Sequence, residues 1–103
     1  MKRAIAAEAE AVGSFLLIAT VVGSGIMASN LSTDPGLQLL ENAAATGGAL
    51  IGLILMFGAV SGAHFNPVVT LVDRGLGSIS NRDTGLYIVA QTIGACVGTV
   101  LAN

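Results

Sequence analysis

Apolar positions along the chain gather into three long runs separated by polar breaks. The first, Ala11–Ala28, extends a helix-favouring stretch and predicts a membrane-spanning helix over about residues 4–28. At about 1.5 Å per residue that run alone reaches about 27 Å, close to the thickness of a hydrocarbon layer. Ser29–Gly36, with Asn30, Asp34 and Pro35, reads as a polar loop. A second spanning helix is expected over 37–60 and a third over 84–102, with a Gly- and Ser-rich connection at Gly75–Asp83 between the later elements. No internal repeat or low-complexity tract interrupts this order, so residues 1–103 read as one domain.

Residues 61–74 break the pattern. After the second run the chain supplies the irregular Gly62-Ala63-His64-Phe65, then a strong helix start. Asn66 is a favoured N-cap, and Pro67 suits the first helical position because its missing N–H would be unpaired there. The helix from Pro67 to about Arg74 meets stop signals at Gly75 and Gly77. Its length is about 13 Å, near half of an approximately 30 Å layer, so it cannot span. Val68-Val69-Thr70-Leu71-Val72 is too apolar for a solvated loop. The expectation is a re-entrant half-helix ending in mid-membrane. Its irregular backbone is tolerated there only in protein or beside a water-filled cavity.

Ser61-Gly-Ala-His-Phe-Asn-Pro-Val-Val-Thr-Leu71 resembles the first re-entrant loop of the aquaporin family (major intrinsic proteins), whose signature is Asn-Pro-Ala. Ala9–Leu16 and Tyr87–Gln91 are similar to the family's first and third spans, in the same order and spacing. The resemblance covers essentially the whole chain and one of the family's two inverted repeats. It implies an all-α membrane protein with three transmembrane helices plus one re-entrant half-helix, a single aquaporin-like half repeat.

Composition agrees with a membrane location. The 103 residues are 53% hydrophobic and 10% charged, whereas soluble domains carry about 25% charged residues. A net charge of −2 with no basic patch leaves nucleic-acid binding without support. A signal peptide is rejected because its apolar region runs only about 7–15 residues, and Glu8 and Glu10 are out of place in one. Lys2, Arg3, Arg74 and Arg82 fall on one side of a three-span topology, which predicts N-terminus in and C-terminus out. Glycine pairs at 48/52, 58/62 and 94/98 each suggest a close helix–helix face, and Cys96 reads as a small packing residue.

Function is expected around Asn66. Its side-chain oxygen can cap the half-helix while its NH₂ donates to a permeating oxygen, and the positive helix end repels cations. Carbonyls of Gly62, Ala63 and His64 form an acceptor ladder toward it. By resemblance, the His64 backbone lines the path while its side chain holds the loop, and Glu10 and Gln91 brace that loop. Thr46, 20 positions before Asn66, stands where water-selective members carry a bulky aromatic, which implies a wider outer opening. Leu17, Leu50 and Val69 match the family's apolar wall. Val68 replaces the signature Ala and crowds the tip, and the filter Arg of the second repeat has no counterpart here.

The resulting expectation is a multi-pass cell-membrane channel subunit passing water and small uncharged solutes such as glycerol-like polyols or neutral metalloid hydroxides. Lipid surrounds it, and no cofactor or metal is expected. The spans contain no metal-ligand cluster, nucleophile–base pair or phosphate loop, so it is not read as an enzyme. A lone half-helix tip would leave N–H groups unpaired in lipid at several kcal/mol each. An inverted second copy would cover it, giving a homo-oligomer of inverted dimers for which four-fold assembly is the expectation. Alternatives are a separate second half, a longer channel of which this is the front, or a non-conducting scaffold subunit. The four-to-none charge split favours the first two of these over inverted copies.

Overall fold

The computed structural model describes residues 2–103 and contains four α-helices: α1 (Lys2–Leu31), α2 (Pro35–Ser61), α3 (Pro67–Gly75) and α4 (Asn81–Ala102). Among the described residues there is no strand. Three helices are long and apolar enough to cross a membrane, Arg3–Leu31, Pro35–Ser61 and Asn81–Ala102, which gives an all-α membrane fold. The nine-residue α3 cannot cross one.

Each helix exceeds its expected bounds, because hydropathy locates the lipid boundary whereas hydrogen bonding locates the helix end. The loop expected at Ser29–Gly36 shrinks accordingly. α1 runs on to Leu31, with Ser29 Oγ donating to the Ile26 carbonyl and Ser32 N to Ala28 O. α2 begins at Pro35 rather than 37, since Asp34 Oδ1 caps the amides of Gly36 and Leu37. This is the same cap-and-proline start as Asn66-Pro67. Ser80 likewise caps Asp83 N and starts α4 at Asn81, ahead of the expected 84.

α1 is the central element. It packs against both α2 and α4, α4 packs against α3, and α2 has no direct packing with α3. The glycine pair 94/98 makes the α1–α4 contact close, because a Cβ on either residue would collide with the backbone carbonyl of Ala11 or Phe15. The other two pairs correct the expectation. Nothing lies within 4 Å of a Cβ built at Gly48, Gly52 or Gly58. Gly62 is instead the C-cap of α2, at φ +86, a left-handed conformation that glycine adopts without a Cβ penalty. Cys96 is exposed on the outer side of α4 and does not fill the interior.

Arg3 pairs with Asp83 and Arg74 with Asn81, so the start of α1, the end of α3 and the start of α4 share one end of the molecule. Large apolar side chains on α2 such as Leu39, Ile51, Leu55 and Met56 point outward, and Leu53 alone is buried among the large ones described there. Lipid is as apolar as leucine, so these faces need no internal cover. The buried set is mixed: the apolar Ala6, Ala9, Ala28, Leu53 and Phe65 and the aromatic Tyr87 lie beside the polar Glu10, Ser14, Ser61, Thr70, Thr84 and Gln91.

Candidate functional site

The loop after α2 departs from regular backbone at once. Gly62 N closes the last turn onto Gly58 O at 2.9 Å, and Ala63 and Phe65 then adopt φ values of 51° and 52°. Left-handed residues with a Cβ cost roughly 1–2 kcal/mol each and persist only where neighbours hold them.

Glu10 on α1 supplies that hold. Its Oε2 accepts from Ser61 Oγ at 2.6 Å and from His64 N at 3.1 Å. Its Oε1 accepts from Phe65 N at 2.9 Å and from Gln91 Nε2 at 2.7 Å. Four donors therefore converge on a side chain with no exposed surface, filling the acceptor capacity of an ionised carboxylate. Among the described residues Glu10 takes part in no ion pair, so these hydrogen bonds carry the solvation that water would supply. Ser61 Oγ also accepts from Ala63 N, and the Ser61 carbonyl accepts from Tyr87 Oη at 2.7 Å.

Gln91 Nε2 donates further to Thr70 Oγ1 at 2.9 Å, which ties α4 to α3. Thr70 Oγ1 also meets His64 Nδ1 at 2.9 Å, while His64 Nε2 lies 3.0 Å from Asp73 Oδ2. The His64 ring sits edge-on to Tyr87, with centroids 5.2 Å apart. Phe65 is buried edge-on to Phe57 and against Gly13 of α1, where a Cβ would run into its ring.

Asn66 caps α3 in extended geometry, its Oδ1 accepting from Val68 N at 2.8 Å, with Pro67 in the first turn. Asn66, Pro67, Val68 and Val69 are exposed, as is Gly62, and Ala63 and His64 are half-buried. Among the hydrogen bonds of the described residues, none ends on the carbonyl of Gly62, Ala63 or His64. Thr46, Leu50 and Leu17 are half-buried. α2 and α3 do not pack together, so Thr46 and Leu50 on α2 are not brought against Val68 and Val69 on α3. Among the described residues no cluster of His, Cys, Asp or Glu could hold a metal ion.

The geometry thus joins Glu10, Gln91 and the 61–66 loop, and adds four residues that the sequence reading did not single out for this site: Ser61, Thr70, Asp73 and Tyr87. A signal for two of them was present. Asn66, Thr70 and Asp73 recur at helical spacing along one stripe of a half-helix that is apolar elsewhere up to Arg74.

Comparison with known sequences bears on the whole chain. The sequence model described as "Major intrinsic protein" matches residues 1–103. The aquaglyceroporin AqpS of Rhizobium meliloti is 50% identical over 92% of this chain and 41% of its own length. Aquaporin Z of Rhodopseudomonas palustris is 31% identical over 90% of this chain and 38% of its own. The glycerol uptake facilitator protein of Bacillus subtilis is 32% identical over 89% and 34%. The chain therefore spans less than half the length of each of these relatives. Members of the matched family are channels, not enzymes. A family match over residues 1–103, with a relative 50% identical over 92% of the chain, leaves one assignment: the chain is an integral membrane protein of the major intrinsic protein family.

Proposed function

We propose that this chain forms half of a passive channel for water and small uncharged solutes of the glycerol class, in the cell membrane. The observation that carries the reading is the row of unpaired carbonyls at Gly62, Ala63 and His64, leading to an exposed, capping Asn66. Acceptors in series with one amide donor replace the hydration of a neutral hydroxylated molecule. They present no ring of charge to an ion. Of the two carboxylates nearby, Glu10 is fully buried and saturated by donors, and Asp73 is turned to the His64 ring. Thr46, Leu50, Leu17, Val68 and Val69 would form the wall of the path.

The pore is completed by a second half-helix tip facing Asn66, Pro67 and Val68. A second copy in inverted orientation supplies it most simply, and such units would then assemble four-fold. A different source of the second half is favoured by charge: Arg3, Arg74 and Arg82 lie toward one end of the molecule, a bias that counts against insertion in both orientations. Purified full chain in liposomes tests conduction: swelling in water and glycerol gradients above protein-free controls is expected. No flux would favour a non-conducting scaffold subunit. Accessibility of tags at both termini in cells separates the two sources, since one orientation alone rules out inverted copies.

A further inference from the structure

We infer that Asp73 is a positioning residue of the site, one that fixes the His64 ring in a single tautomer and thereby holds the His64 carbonyl in place. Its consequence for flux rests on the permeation reading above, but the wiring does not.

The direction of each hydrogen bond follows from the chemistry at the buried end. Glu10 accepts only, so Gln91 must present its NH₂ there, and the same nitrogen's second hydrogen goes to Thr70 Oγ1. Thr70 is thereby an acceptor toward Gln91, and its single hydrogen is free to point elsewhere. His64 Nδ1, at 2.9 Å, receives it only if that nitrogen is bare. At the other edge of the ring, Asp73 Oδ2 stands 3.0 Å from Nε2 and can only accept, so Nε2 carries the hydrogen. One tautomer satisfies both ends, Nε2–H with Nδ1 bare.

The two ends are not equally strict. Thr70 has an alternative acceptor in its own helix, the Asn66 carbonyl one turn back, which already receives Thr70 N at 3.1 Å. A carboxylate offers no alternative, because it has no hydrogen to give. Asp73, rather than Thr70, sets the ring. The ring sits between Tyr87 and Thr70 and shares its residue with the amide that Glu10 accepts, so its orientation and that of its carbonyl are coupled.

His64 is the sole histidine of the chain, so ring-¹⁵N histidine labelling reads it without assignment. In the full chain in lipid bilayers near neutral pH, the wild type should show one neutral ring with Nε2 protonated. Asp73→Ala should give a mixture of tautomers, Asp73→Glu should restore the single form, and Thr70→Val should keep it. A single unchanged Nε2–H form in Asp73→Ala, or mixing in Thr70→Val alone, overturns the inference. In liposomes, Asp73→Ala should lower solute flux several-fold with rescue by Asp73→Glu. A conducting wild type matched by Asp73→Ala overturns the positioning role. Wild-type protein that shows the expected spectra but conducts nothing overturns the permeation reading and upholds the wiring.

Discussion

Tyr87 on α4 donates its hydroxyl hydrogen to the carbonyl of Ser61, the last residue of α2, at 2.7 Å, although the two helices have no direct packing. This bond joins the helix before the loop to the helix that carries Gln91. Tyr87→Phe keeps the ring against His64 and leaves the Ser61 carbonyl buried without that donor. A buried unpaired carbonyl costs about 1–3 kcal/mol. The variant should therefore unfold at lower temperature in detergent while retaining its helix content.

Glu10→Gln is the more severe change. The amide keeps one acceptor oxygen but turns an NH₂ toward groups that are themselves donors: the amides of His64 and Phe65, the Ser61 hydroxyl and Gln91. Ser61 Oγ and the Gln91 amide can turn to accept, but His64 N and Phe65 N cannot, so at least one backbone bond is lost and the left-handed backbone at Ala63 and Phe65 loses part of its hold. Hydrogen exchange at the His64 and Phe65 amides should accelerate by orders of magnitude, with flux lost. Glu10→Asp retains the charge on a shorter reach and should fall between.

How far the sequence discloses this arrangement depends on the kind of signal. Length and apolarity expose the three spans and the short α3, because a bilayer imposes one length scale on everything within it. The half-helix start is legible at Asn66-Pro67, and Asp34-Pro35 carries the same start for α2, two residues before its hydropathy rises. Glu10 and His64 stand out because ionisable residues are rare in apolar runs. Thr70 and Tyr87 do not stand out, since threonine and tyrosine occur in membrane helices for packing and interfacial reasons alone. Their partners, His64 and the Ser61 carbonyl, become visible only once α3 folds back against α4. Glycine spacing is likewise ambiguous: three pairs match one pattern, and the fold uses one of them for close contact.

That contact gives a discriminating pair of variants. A methyl group at Gly94 meets the Ala11 carbonyl, which is backbone and cannot swing away, whereas one at Gly48 meets nothing within 4 Å. Gly94→Ala should push α1 and α4 apart at a cost of about 1–3 kcal/mol. Gly48→Ala should leave the thermal stability of the isolated chain unchanged. If Gly48→Ala alters the mass of the complex in mild detergent instead, the open α2 face belongs to an interface between chains.

Asn66 carries two roles that one substitution can separate. Its oxygen caps Val68 N, and its NH₂ is the donor proposed to meet permeating solute. Asn66→Ala removes both, so lost flux in that variant could reflect a frayed half-helix, whose cap contributes about 1 kcal/mol. Asn66→Asp keeps the capping oxygen and places a negative charge at the positive end of α3, a stabilising position. It replaces the donor with a second acceptor at the point where the carbonyl ladder ends. Helix content and unfolding temperature should match the wild type while water and glycerol flux fall together by at least about tenfold, the equivalent of about 1.4 kcal/mol at the barrier. Full flux through Asn66→Asp would mean that the tip acts by shape and helix polarity alone, and the amide donor would have no part in conduction.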